Sequence, residues 1–201
     1  MYDPTPETIP LRGGRLALDF ANTVDWSDAA TPLDPARTDV LTSTDHLARW
    51  GRRLDLVAAR GPAPDRAELA RARAGRDAVY RIFAAIASGA EPAPGDLALI
   101  SAQHAEAAAA GILRPADAGF RLDWPRSDPR RPRFAAIADA VALLGDREAL
   151  TRVGRCPGRH CGWLFYDRSG RRRWCSMAAC GSREKMRRLY ARQKCEQTDA
   201  R

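Results

Sequence analysis

The chain has 201 residues, enough for one domain of ordinary size plus a small satellite. Hydrophobic residues make up 45%, which excludes wholesale disorder, and no run of apolar residues is long enough for a membrane-spanning helix. The net charge of +8 is localised: residues 151–201 hold fourteen of the 33 Lys+Arg and four of the 25 Asp+Glu, a balance of +10, against −2 in the first 150.

Residues 1–14 are punctuated by Pro and Gly and read as a loose lead-in. They lack the basic start and apolar core of a secretion signal, so a cytoplasmic protein without a membrane partner is expected. In RLALDFANTVDW, Leu16, Leu18 and Phe20 alternate with other residues, which suits a short strand, although a turn or helix beginning near Asp19, Asn22 and Thr23 stays open. Residues 28–42 read as a long loop. Thr44 or Asp45 caps a helix to about 59, with Leu47, Trp50, Leu54 and Val57 on one face. Asp65 caps a second helix whose stripe runs through Leu69, Ala72, Val79, Ile82, Phe83 and Ile86. A third helix covers 96–110 and stops at Gly111. Residues 119–124 form a short strand, 125–133 a basic, Pro-rich loop, and Phe134 to Leu144 a fourth helix ending at Gly145. The body is therefore mostly helical with a few strands, and its large apolar residues are core anchors.

All five cysteines lie between 156 and 195. Cys156-x4-Cys161 and Cys175-x4-Cys180 are two equal short pairs separated by a hairpin-sized gap, and such pairs converge on one tetrahedral ion. Zinc is the expected metal, because thiolates are soft ligands and the ion imposes no geometry of its own, with an iron–sulfur cluster the weaker rival. Four thiolates leave no position for water, so the zinc is structural. Residues 163–166 and 172–174 are expected to be the two strands of a hairpin turning at 167–170, and Cys180 to open a helix through about Lys194. His160 adjoins Cys161 but is not needed in a complete shell. Cys195 lies fifteen residues beyond Cys180. On a helix that is roughly 22 Å, too far for the same ion.

The segment CPGRHCGWLFYDRSGRRRWCSMAACGSREKMRRLYARQ resembles the CGNR-type zinc finger: two C-x4-C pairs, an aromatic strand, a basic turn, RRWCSM, and the signature itself. Here the signature reads Cys180-Gly181-Ser182-Arg183, with serine in place of asparagine. GGRLALDFANTVDW is similar to the start of the ABATE domain, with Leu18-Asp19-Phe20, Asn22 and Thr23 matching its LDFxNT signature. The resemblance implies an α+β protein: a mostly helical ABATE-like domain with a few strands over 1–150, and a treble-clef zinc finger over 151–201. It also implies a stress-induced transcription regulator whose N-terminal domain takes an unknown small-molecule ligand, with Asp19, Asn22 and Thr23 the candidate ligand contacts.

A DNA-binding regulator is therefore the leading expectation. Arginine's planar fork meets phosphate or guanine bidentately. The residues expected to contact nucleic acid are Arg171, Arg172, Arg173, Arg183, Lys185, Arg187, Arg188 and Arg192. Because one finger has a small footprint, a homodimer is a further expectation. Two alternatives stand beside it. One is a protein-interaction module docking through Met186, Leu189 and Tyr190. The other is an RNA-binding protein stacking bases on Trp163, Tyr166 or Trp174. Neither a catalytic triad pattern nor a phosphate loop is present, so an enzyme is not expected.

Overall fold

In the computed structural model, which describes residues 4–25, 39–116, 119–159 and 161–199, the LALDFA run is a helix and not a strand. For residues 192 and 194–199 the description covers the backbone alone. Helix α1 (Leu16–Ala21) buries Ala17, Leu18, Phe20 and Ala21. Neighbours approach it from several sides, so apolar residues surround its axis and strand-like alternation carries no information. No side chain of its own caps α1. Instead Asp139 of a later helix accepts the Ala17 N–H at 2.9 Å and the Arg15 guanidinium at 2.6 Å.

Helix α2 (Thr44–Arg53) is capped by Ser43, which accepts the His46 N–H, one residue before the expected cap. It ends at 53 and not 59, because Asp55 adopts a left-handed conformation at φ 56°. Helix α3 (Arg66–Ala87) starts at the expected cap, Asp65, whose carboxylate accepts the Glu68 N–H at 2.6 Å. Helix α4 (Pro94–Ala110) stops before Gly111. Strand β1 (Ile112–Ala116) pairs antiparallel with β2 (Gly119–Asp123), where only the second strand was expected. Pro115 obscures β1 in the sequence, but a two-stranded edge tolerates proline. Helix α5 (Arg131–Gly145) begins three residues before its apolar stripe, with Pro132 in its first turn, where no N–H is needed. Helix α6 (Arg147–Thr151) is capped by Asp146. Of the expected 28–42 loop, residues 28–38 lie outside the described residues.

Two ion clusters lock the helices together. The fully buried Arg133 grips Glu68 of α3 through two hydrogen bonds, at 2.7 and 2.8 Å, and also reaches Glu106 of α4. Arg76 of α3 holds the buried carboxylate of Asp39. Removing one partner of such a pair strands a buried charge, so these clusters act by specifying which segments meet: α5 with α3 and α4, and α3 with the stretch that leads into α2.

The helical body and the cysteine region share their apolar cores. One apolar cluster joins Leu18, Val79, Tyr80, Phe83 and Ile137 to Val153 and Leu164. A second joins Phe20, Leu47 and Trp50 to Cys156, Trp163, Phe165, Cys175 and Cys180. A segment of about fifty residues encloses little apolar volume by itself, so the cysteine region completes its core on the helices.

Candidate metal centre and basic cleft

Strands β3 (Val153–Arg155) and β4 (Leu164–Tyr166) pair antiparallel, with Val153 opposite Tyr166 and Arg155 opposite Leu164. The hairpin partner of 164–166 is thus the segment before the first cysteine, and the expected strand at 172–174 is absent. The reason is the knuckle between the strands. Cys156 N–H donates to Trp163 O at 2.9 Å, continuing the ladder, and Cys161 N–H donates to Gly158 O at 2.8 Å, closing the turn. Gly158 must be small: a Cβ there would lie 3.2 Å from the Cys180 sulfur.

The second cysteine pair is presented by a helical end. A π-helical turn (Met177–Gly181) runs directly into α7 (Ser182–Asp199). Ser176 starts the turn by accepting the Ala179 N–H. Ser182, which replaces the signature asparagine, donates its hydroxyl to Met177 O at 3.0 Å and ties the turn to the helix.

All four cysteine sulfurs lie within 4.8 Å of one another. The Cys161–Cys175 and Cys175–Cys180 separations are 3.7 and 3.6 Å. A tetrahedron with Zn–S bonds of ~2.3 Å has edges of ~3.8 Å, so these spacings suit zinc. Cys156, Cys175 and Cys180 are buried and Cys161 is partly exposed. The donor set, four sulfurs at tetrahedral spacing, fits one structural zinc.

The expected nucleic-acid contacts separate into groups. Arg172 is corrected: its guanidinium donates to the Arg12 and Cys175 carbonyls at 2.6 Å, and stacks 4.7 Å from the Phe165 ring centroid. It clamps the lead-in segment onto the metal centre and has no fork left for phosphate. Arg173, Arg183, Arg187 and Arg188 line adjoining clefts with Glu184, and the Arg183 guanidinium also lies 3.5 Å from the Cys180 sulfur. Arg187 donates to the Glu184 carboxylate at 2.7 and 2.8 Å and Arg188 at 3.0 Å. The hydrogen bonds from Arg187, then Arg188, pull the Glu184 carboxyl down to about 2.

Beside them lies Arg159, which the sequence reading missed. With Pro157, Arg173, Trp174, Glu184, Arg187 and Arg188 it lines a cleft of about 460 Å³. Arg159 and Arg183 flank a second, adjoining cleft of about 230 Å³. The signal was available in its position between two ligands, where the metal tethers it. Arg171 stands exposed on the turn, and Lys185 projects from another side of α7. The side chains of Arg192 and Cys195, and all of His160, lie outside the described residues.

Asp19, Asn22 and Thr23 are engaged within the fold. Asn22 is fully buried and bridges both polar atoms of one peptide: its amide donates to Leu164 O at 2.8 Å and its carbonyl accepts Leu164 N–H at 2.9 Å. Thr23, also fully buried, donates to Phe20 O and ends α1. Asp19 accepts the Gly13 N–H at 2.7 Å, while Gly13 O accepts the Tyr166 N–H at 2.7 Å. Gly13 admits this approach only because it lacks a Cβ, which would sit 2.5 Å from Asp19 N. Burial raises the Asp19 carboxyl to about 6, against the Gly13 hydrogen bond and the Arg172 charge. These hydrogen bonds give the three residues a structural role, bracing α1 against β4.

Two family models match the chain in order. The model of ABATE, described as "putative stress-induced transcription regulator", matches residues 14–147. The model of the CGNR zinc finger matches residues 152–193. No curated protein matches the chain. Among the described residues, no helix is long and apolar enough to cross a membrane.

Proposed function

The chain belongs to the ABATE family, and from that premise we propose that it is a cytoplasmic, DNA-binding transcription regulator whose finger grips the phosphate backbone through the Arg159–Arg173–Arg183–Arg187–Arg188 cleft. The observation that carries this reading is the convergence of five guanidiniums beside a closed metal centre. The zinc holds three of the cleft's supports in register: the knuckle bearing Arg159, the loop bearing Arg173, and the start of α7. Phosphate contacts of this kind supply affinity and little sequence choice. Specificity would then come from added elements, of which a second protomer is one.

The N-terminal body is the proposed input. What supports this is mechanical: Asn22, Gly13 and Arg12 touch the hairpin and the Arg172 clamp directly, so a ligand that shifts α1 shifts the finger. The reading is of a non-catalytic protein, because four thiolates complete a tetrahedral zinc. RNA stacking is less well supported, since Trp163 is buried, with its indole N–H donating to Asp25 at 2.8 Å.

Fluorescence anisotropy of duplex DNA across a salt series tests the proposal. Zinc-loaded protein is expected to bind with log K falling by roughly 0.9 per phosphate neutralised for each decade of salt. Arg187→Ala/Arg188→Ala is expected to flatten that slope with zinc retained. An unchanged slope removes α7 from the contact surface, and no binding at low salt removes DNA from the reading.

A further inference from the structure

The apolar side of α7 carries a second surface. Successive helical residues rotate by ~100°, which puts Met186, Leu189 and Tyr190 on one face. All three apolar side chains are uncovered, at 44, 46 and 63% exposure, as is Met177 of the π-turn at 69%. They are therefore not a packing seam for this chain's described residues. The surface around Met186 is concave. A recess of about 380 Å³ is walled by Trp174, Met177, Met186 and Leu189, with Glu184, Lys185 and Arg188 also lining it. A broader, shallow one of about 670 Å³ lies between Ala178, Met186 and Tyr190, with Arg183 and Arg187 also lining it.

We propose that this face docks an acidic, amphipathic segment of a partner protein. Its apolar side chains enter the two recesses and its carboxylates meet Lys185 on one side and Arg183 and Arg187 on the other. Contiguous exposed apolar surface rimmed by charge marks an interaction site, and paired recesses suit the i, i+3, i+4, i+7 anchors of a helix. The rim decides what kind of partner fits. It carries Lys185, Arg188, Arg183 and Arg187 against the single carboxylate of Glu184, so a second copy would bring like charges together, whereas an acidic segment is complementary. Phosphates gain nothing from Met177 or Leu189. The docking face shares Arg183, Arg187 and Arg188 with the basic cleft, so DNA and this partner compete for α7. The proposal goes beyond the DNA reading and does not depend on it.

The test uses full-length, zinc-loaded protein and a fluorescein-labelled peptide of about five helical turns, with leucines at i, i+3, i+4, i+7 spacing and Asp or Glu elsewhere. Saturable binding is expected, and none for the same peptide with Lys at the acidic positions. Met186→Gln/Leu189→Gln keeps helix propensity and exposes no core. It is expected to weaken binding by roughly tenfold or more, about 1.4 kcal/mol or more, with zinc content, circular dichroism and the DNA salt slope unchanged. No saturable binding of the acidic peptide, or equal binding by the double variant, overturns the proposal. Sedimentation showing a wild-type dimer that the double variant abolishes assigns the face to a second copy and also overturns it. Capture by phosphatidylcholine–phosphatidylserine vesicles in preference to the peptide, lost in the double variant, overturns it in favour of a membrane.

Discussion

Asn22 shows how a signature residue can serve the fold. Its amide replaces a missing strand neighbour by satisfying both polar atoms of Leu164, in a place where an unpaired group costs about 1–3 kcal/mol. Asp19 is less well placed. Its carboxyl is raised by burial to about 6, so the folded protein binds a proton that the unfolded chain has already released. Stability from this group is complete below the ordinary aspartate range and is lost as pH rises toward 6. Asp19→Asn keeps an acceptor for Gly13 and removes the buried charge. The variant is therefore expected to match wild type near pH 4 and to exceed it by up to about 3 kcal/mol above pH 6, since each pKa unit is worth ~1.4 kcal/mol. Denaturant melts of both proteins across pH 4–8 measure the difference directly, and a constant difference across that range would refute the assignment.

At the scale of one element, α7 is a helix with two dissimilar sides joined to a metal centre. Glu184 stands among the cleft's guanidiniums and holds Arg187 and Arg188 toward itself. In an exposed position such pairs add little stability, so the carboxylate chiefly competes with an incoming phosphate. Glu184→Gln is expected to raise DNA affinity several-fold and to steepen the salt slope by about one phosphate equivalent. It should do almost nothing in the Arg187→Ala/Arg188→Ala background. Anisotropy on the four proteins of that cycle separates release of the two arginines from a general gain in positive charge, which would persist when both are absent.

For the whole molecule, the shared cores make the metal a support for the helices as well as for the finger. Phe20 and Trp50 pack in the same cluster as Cys156, Cys175 and Cys180. Chelation of zinc, or Cys175→Ser, is expected to lower the melting temperature of the entire helical circular-dichroism signal by on the order of 10 °C, given the folding free energy a structural zinc supplies. A two-step melt whose main helical transition stays at the zinc-loaded temperature would show that the body stands alone. Asn22, the Arg172 clamp and Trp163 should meanwhile make finger and body behave as one cooperative unit.

Much of the metal centre was legible in the residues themselves. Two C-x4-C pairs specify their own convergence, because a structural zinc takes four tetrahedral ligands and the two pairs supply four thiolates. Asp65 likewise announced α3, since a capping carboxylate and a 3.6-residue stripe are local features. The strand partner of 164–166 was not legible, because pairing depends on which segment the knuckle returns alongside. Nor was the helix over Leu16–Ala21, whose burial on several sides erases any period. Arginines looked equivalent along the chain, yet tertiary contacts made Arg172 a clamp, Arg133 a buried lock and Arg159 part of a cleft. Sequence alone determined the metal, its ligands and the basic excess of the last quarter, because these depend on residue type and short spacing. Only the tertiary structure decided which polar groups are already engaged inside the protein and which still face a partner, because that depends on who else reaches them.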